Sequence, residues 1–325
     1  MTISLLDLLN LDDDCDEEMP RLFTQSPYIS NEEALEIMSQ QKNKFSLLSL
    51  NIQSLLSKHD QLQSYMYYFN HSYSVICLQE TWLSSLHDVS ILKIDGYQFI
   101  HKPKSVSQHG GVGFYINDAL DFTILSTVVN DDLCDSLFVE FIIKLPCTYQ
   151  TYKIILGNIY RPPRQSVENY SAFITSLEQT LESFENINNV ILVGDFNIDL
   201  LKIRQNEHAN SFFETLLSNG YIPTITQPTR ITDYSKTLID NCFIKCFDNS
   251  PVTNSAILLQ NISDHQPYLT CFDYSIQTKP APKFIKTQTK SPKAIENLKN
   301  ELKITCNLPA SASKRTCNHT VLCSN

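Results

Sequence analysis

The chain has 325 residues, 42% hydrophobic and 18% charged, enough for one large domain of about 230–250 residues with flanking segments, or two ordinary domains. No apolar run approaches the ~18–20 residues of a membrane span, and the first seven residues lack the basic start of a secretory signal, so no membrane partner is expected. Residues 1–20 hold seven Asp/Glu and no Lys/Arg, and residues 276–325 hold nine Lys/Arg against Glu296 and Glu301; these ends cancel, so the middle carries the whole net charge of −10, which argues against tight nonspecific DNA binding through phosphates.

Residues 1–27 are acidic and without pattern, which predicts disorder. Ser30-Asn31-Glu32-Glu33 has the wording of a capping box, opening a short helix to about Gln41. Residues 45–52 read as a buried strand, 60–69 as a helix and 73–79 as a second buried strand. Residues 111–116, 122–129 and 136–144 read as successive antiparallel strands. A strand over 152–160 ends at Arg161-Pro162-Pro163, where two prolines prevent continuation.

Phe173, Leu177, Leu181 and Phe184 recur at helical spacing and predict a helix over 168–186. A short buried strand follows at 190–193, with Gly194 expected to break it. A second helix is predicted over 210–219, with Gly220 just past its end. Further strands are expected near 238–244, 255–259 and 268–273. Strands outnumber helices and do not alternate strictly with them, which points to two packed sheets with helices outside, a four-layer α/β sandwich. From about Ile276 the chain turns rich in Lys, Pro, Thr and Ser. The expected organisation is therefore an acidic segment with one helix (1–42), the folded domain (43–275) and a basic tail (276–325), where Ile295, Leu298 and Leu302 fit one short amphipathic helix.

The ten cysteines are scattered, and Cys77 sits within an apolar run, so free buried thiols are expected. Cys306, Cys317, His319 and Cys323 match no common zinc spacing. Without a secretory signal, the sequon Asn169-Tyr170-Ser171 reads as accidental.

Polar groups stand where the apolar strands end: Asn51, Glu80, Asp195 with Asn197, Asp240, and Asp264-His265. Any one of these is a common turn or cap, but together they form a display of functional groups on a rigid scaffold. Asn51, Glu80 and Asp264 offer the hard oxygen atoms that suit magnesium, with manganese as the alternative. His265 beside an acid such as Asp240 would carry charge toward a phosphate oxygen, and Asp195 would orient or deprotonate a water.

Leu50-Asn51-Ile52, Gln79-Glu80-Thr81-Trp82, Ile159-Tyr160-Arg161-Pro162-Pro163, Gly194-Asp195-Phe196-Asn197, Leu238-Ile239-Asp240 and Ser263-Asp264-His265 resemble, in order and spacing, the motifs of the endonuclease/exonuclease/phosphatase superfamily over about residues 43–275. Gln79-Glu80-Thr81-Trp82-Leu83, Tyr160-Arg161-Pro162-Pro163 and Gln227-Pro228-Thr229-Arg230-Ile231-Thr232 resemble more narrowly the endonuclease of non-LTR retrotransposons. The resemblance implies that Glu80 holds the metal with Asn51 and Asp264 near it. Tyr160 and Asn197 would contact the scissile phosphate or position Asp195, which aligns the water, and Asp240 would pair with His265. It implies a DNA substrate, a 3′-hydroxyl product and nuclear residence. Gln53 stands where the superfamily's repair nucleases usually have an acid, and the tail resembles no polymerase. An abasic-site nuclease, a lipid phosphoesterase and an inactive binding scaffold are the competing readings.

Three of the seven glycines fall at Gly110, Gly111 and Gly113, and read as a turn leading into a cleft-lining strand. His109 would there face either DNA or solvent. Trp82 is expected to buttress Glu80. Thr229 and Arg230 are expected on a hairpin loop that either probes a DNA groove or is an exposed turn.

Overall fold

The computed structural model describes residues 26–276 except 42, 71–72, 105–108, 128, 145–150, 164 and 246–251. The expectations for residues 1–25, for the basic tail with its short helix, and for the Cys/His group at 306–323 lie outside the described residues.

Two sheets form the centre. The first runs β1 (Tyr28–Ile29), β14 (Val252–Leu258), β15 (Tyr268–Ser275), β2 (Lys44–Asn51), β3 (Val75–Gln79), β5 (Val112–Asn117) and β4 (Tyr97–Lys102). The second runs β10 (Tyr221–Pro223), β13 (Asp240–Lys245), β9 (Val190–Asp195), β8 (Thr151–Tyr160), β7 (Asp135–Lys144) and β6 (Phe122–Leu125). Only β1/β14, β2/β3 and β8/β9 pair in parallel among the described residues. A small hairpin of β11 (Arg230–Ile231) and β12 (Lys236–Thr237) forms its own two-stranded sheet.

The layers follow from side-chain alternation. In β2, Phe45 and Leu47 point between the sheets, while Leu48 and Leu50 point to the opposite face. That opposite face is covered by α1 (Asn31–Gln40) and α2 (Leu55–Tyr68), through Ala34, Met38, Leu62 and Met66. With both faces covered, such strands read as near-continuous apolar runs. The second sheet is backed by α3 (Val167–Ser183) and α4 (Glu207–Ser218). Phe173, Leu177 and Leu181 of α3 are at most 1% exposed, and burying each contributes about 1.5–3 kcal/mol. Lys245 Nζ donates to the carbonyls of Phe184 and Glu185 at 2.7 Å, just past the end of α3, sharing the Phe184 oxygen with the Ile187 N–H. Two packed mixed sheets with outer helices are thus the fold expected from the sequence.

Ser30 caps α1 through Glu33, and the Glu33 side chain returns to the Ser30 amide at 2.7 Å, as the capping-box wording predicts. This helix and β1 pack on the first sheet, so the packed unit begins N-terminal of residue 43. Helix α2 starts at Leu55, five residues before the expected start at 60, and helix α4 starts at Glu207 on an Asn206 cap rather than at 210. Strand β6 stops at Leu125 instead of reaching 129, and β4 has no counterpart among the expected strands. Gly220 follows α4 at φ +80°, as expected of its position.

Gly194 corrects the reading in a different way. It does not break β9; the strand continues through it to Asp195. A Cβ on Gly194 would lie 1.8 Å from the Ile159 carbonyl oxygen, so its bare backbone is what lets β9 approach β8. Cys77, Cys134, Cys242 and Cys271 are free and buried, as expected. Among the described residues no helix is long and apolar enough to cross a membrane.

Candidate active site

Sheet register assembles the centre. Tyr160, at the end of β8, pairs with Asp195, at the end of β9, and Asp195 pairs on its other side with Asp240, at the start of β13. The three stand on one rung of the second sheet. Asn51 and Gln79 end neighbouring strands of the first sheet on a shared rung. The Asn51 amide joins the two sheets by donating to Glu80 Oε1 and to Asp195 Oδ2, each at 2.8 Å.

Glu80 leaves β3 at φ +51° and sits in a loop fastened on both sides. Ser54 and Leu55 donate to the carbonyls of Glu80 and Thr81, and Thr81 and Trp82 donate to those of Gly111 and Gly110. Gly111 is at φ +87° with its ideal Cβ position 2.6 Å from Thr81 Oγ1, so the glycine turn is shaped to brace the Glu80 loop. Trp82 Nε1 donates to Glu80 Oε2 at 3.0 Å, the buttress expected from the sequence. His109 is exposed and its ring centroid lies 4.6 Å from that of Trp82.

Asp195 is fully buried and accepts from the Asn197 amide N–H at 2.9 Å and from Asn197 Nδ2 at 3.1 Å. Burial, then the Asp240 charge, push its carboxyl up to about 7, against His265 and these hydrogen bonds. Arg161 holds the turn that follows: Nε donates to the Phe196 carbonyl at 2.8 Å and Nη2 to the Asn197 carbonyl at 2.9 Å. Its guanidinium lies 4.8 Å from the Tyr170 ring centroid. Burial, with the charges of Glu80 and Asp195, pushes the Tyr160 phenol well above its ordinary value, leaving it a neutral hydroxyl.

His265 Nδ1 meets Asp240 Oδ1 and Oδ2 at 3.0 and 2.9 Å, the pairing expected from the sequence. Burial alone lowers the imidazole pKa, but Asp240, by charge and hydrogen bond, with Asp195 and Asp264, raises it to about 9. Thr229 Oγ1 donates to Asp240 Oδ2 at 2.6 Å. Thr229 is fully buried and not on the exposed hairpin loop expected for it, and Arg230 begins the hairpin strand itself. Asp264 accepts from Gln53 Nε2 at 2.5 Å and from Arg230 Nε and Nη2 at 2.8 and 2.6 Å. Burial pushes its carboxyl up, but the Arg230 hydrogen bond, the His265 charge and Gln53 outweigh this and hold it low.

Gln53, Glu80, Pro163, Asn197, Arg230 and His265 line an open cleft of about 310 Å³. Among the described residues, Gln53, Glu80, Trp82 and Asn197 belong to the seven non-glycine residues at positive φ. Backbone strain of this kind concentrates at functional sites. Arg161 and Ser263 are site residues that strand-end reasoning passed over. Ser263 Oγ donates to the Asn51 carbonyl at 2.6 Å and receives the His265 N–H, so it sets the last segment against the first. Their only trace in the sequence is membership of the quoted motifs.

The donor set fits a divalent ion at Glu80 and Asn51. Asn51 is 1% exposed and its Oδ1 is buried without a hydrogen-bond partner. An orphaned amide oxygen beside a carboxylate is the kind of hard donor such ions take. Ligand atoms of Asp195, Asp240 and His265 also lie within 4.8 Å of one another.

Three solved structures share the fold. They are the endonuclease domain of TRAS1, a telomere-specific non-LTR retrotransposon (13% identity, 71% of this chain and 99% of that one, TM-score 0.53), an AP endonuclease from Leishmania major (14%, 82% and 98%, 0.57), and the 3′ phosphatase NExo from Neisseria bound to product DNA hairpin (14%, 71% and 100%, 0.54). No curated protein matches the sequence. The model of the Endonuclease/Exonuclease/phosphatase family matches residues 42–265, spanning every strand that carries the centre up to His265 itself, and the chain belongs to that family.

Proposed function

We propose that the chain is a divalent-metal-dependent phosphodiester hydrolase that nicks DNA, of the kind carried by non-LTR retrotransposons, leaving a 3′-hydroxyl. The observation that supports it is one cleft lined by Glu80, Asn197 and His265, with the buried Asn51, Asp195 and Asp240 hydrogen-bonded directly to them from separate strand ends. Magnesium or manganese, held by Glu80 and Asn51, would supply Lewis-acid stabilisation of charge on the phosphate and the leaving oxygen.

The residues of the chain do the rest. Asp195, oriented by Asn197 and Asn51 and with its pKa raised to about 7, suits a group that aligns a water and takes its proton. His265, raised to about 9 and fixed by Asp240, presents positive charge to the phosphate. Tyr160 offers a neutral hydroxyl to a phosphate oxygen. Arg230 lines the cleft at its hairpin side, and His109 with Trp82 stands beside Glu80; these are the proposed substrate contacts outside the centre, with Thr229 acting through Asp240.

The narrower assignment to the retrotransposon type rests on the wording of residues 79–83, 160–163 and 227–232, alongside the fold shared with the TRAS1 endonuclease domain. Nuclear residence is part of the proposal, because the substrate would be chromosomal DNA. The test is nicking of supercoiled plasmid by the full chain with magnesium, with EDTA, and with D195A. Metal-dependent nicking that D195A loses supports the reading. A folded wild-type chain that leaves the plasmid intact across several metals and salt concentrations refutes it.

A further inference from the structure

Each carboxylate around the cleft can be judged by what already occupies its oxygens. Asp195 accepts from the Asn197 N–H on Oδ1 and from two amide groups on Oδ2. Asp240 is committed to His265 and Thr229. Asp264 has Gln53 on Oδ1 and two guanidinium nitrogens of Arg230 on Oδ2. Charge-assisted contacts of that kind are among the stronger hydrogen bonds. Glu80 differs: all its donors are neutral, Asn51 Nδ2 on Oε1, Trp82 Nε1 on Oε2 and the Tyr160 hydroxyl, and the neighbouring Asn51 Oδ1 has no partner.

Asp264 is also in the wrong company for an ion ligand. Displacing Arg230 from it would leave the guanidinium without its counter-charge. The base of the hairpin is meanwhile joined to the same segment by an Arg230–His265 backbone bridge and by the Gln266 N–H to the Thr229 carbonyl at 2.7 Å. Gln53 fits this arrangement as an amide, because a carboxylate there would face Asp264 with like charge.

We infer that Gln53 and Arg230 withdraw Asp264 from the divalent ion that Glu80 and Asn51 hold, leaving a single ion site, and use it to tie the hairpin base to the His265 segment. This rests on the metal-dependent reading above. Asp264 is then a positioning residue, and the cleft meets its phosphate with one carboxylate fewer.

The test is titration of the full chain with Mn²⁺, following the free ion by electron paramagnetic resonance, together with amide hydrogen exchange over residues 230–237. Wild type is expected to bind one ion. E80Q should weaken binding by about tenfold or more and D264N by less than about threefold, scaled to the usual effects of ligand-shell changes. D264N and R230M should both speed exchange in the hairpin. R230M, which frees Asp264 without removing it, should bind Mn²⁺ at least as tightly as wild type and serves as the check if D264N does not fold. Two ions per wild-type chain, D264N weakened as much as E80Q, or R230M weakened likewise each overturn the inference while leaving the metal-dependent reading intact. A folded wild-type chain that binds no Mn²⁺ overturns both.

Discussion

Replacing Arg161 by Met tests how the catalytic turn is held. Arg161 is 3% exposed, and its guanidinium is the donor to the carbonyls of Phe196 and Asn197 and to Gln165 Oε1. Methionine keeps much of the stem's packing and removes all three bonds. The buried Phe196 carbonyl then loses its partner at about 1–3 kcal/mol, and the part-buried Asn197 carbonyl at less. The expected loss is about 1–4 kcal/mol, a large share of the roughly 5–15 kcal/mol that a domain has in total. Activity should fall further than the folded fraction does, because Asn197 donates twice to Asp195. A shift of about 1 Å in such a group costs on the order of 10²-fold in rate. R161K should lie between the two, since one ammonium reaches one carbonyl well but cannot reproduce the planar fork. Urea unfolding gives the stability term, and plasmid nicking under conditions where each variant is folded gives the rate. An R161M protein as stable and as active as wild type would refute the reasoning. Lost stability with unchanged nicking would confine Arg161 to the fold.

Other substitutions address other links. G194A places a methyl 1.8 Å from the Ile159 carbonyl oxygen and should destabilise by more than about 4 kcal/mol or prevent folding; a normal urea midpoint would mean the strands can separate there at little cost. D240N should lower nicking by about 10²–10⁴-fold, and the His265 pKa read by NMR should fall from about 9 while Asp240's neighbours stay folded. A His265 pKa unchanged in D240N would remove that carboxylate as the cause. The raised His265 pKa also sets a pH window. Its stabilising contribution is fully present below the unfolded value of 6.5 and is lost as pH rises through about 9. Asp195, raised to about 7, acts in the same direction at lower pH. The urea midpoint should therefore decline between pH 6.5 and 9, and H265N should flatten that decline; an equally steep fall in H265N would place its source elsewhere.

Much of this was legible in the residues because buried strands are conspicuous. An apolar run that stops at Asn51, Gln79 or Asp195 marks both a strand and the point where it delivers a side chain. The Ser30–Glu33 box and the Phe173–Leu181 spacing were equally direct. What was hidden has local reasons. Helix α2 has no capping side chain at Ser54, which sits at φ +83°, so nothing in the sequence announces its start. Strand β4 is partly exposed over most of its length and lacks a clean alternation. Gly194 looks like a strand breaker unless the approach of β8 is known. Thr229 carries no sign that its hydroxyl is buried on Asp240, since its neighbours Pro228 and Arg230 read as a loop. Asp264 is the instructive case: its type suited a metal, and only the placement of Gln53 and Arg230 showed what its oxygens already hold.

The left-handed residues around the cleft carry an evolutionary implication. A non-glycine residue in a sparsely populated backbone region strains the fold by about 1–3 kcal/mol, and Gln53, Glu80, Trp82 and Asn197 all have φ between +49° and +56°. At each, glycine would relax the backbone while deleting a group that lines the cleft or contacts Glu80. Relief of strain at these positions therefore competes with the contacts the side chains make, and wherever strain is the larger, a screen for thermal tolerance alone would exchange chemistry for stability. A lineage released from its chemistry would move the same way, so these four positions, followed through descendants of this chain, record whether the activity is still being selected.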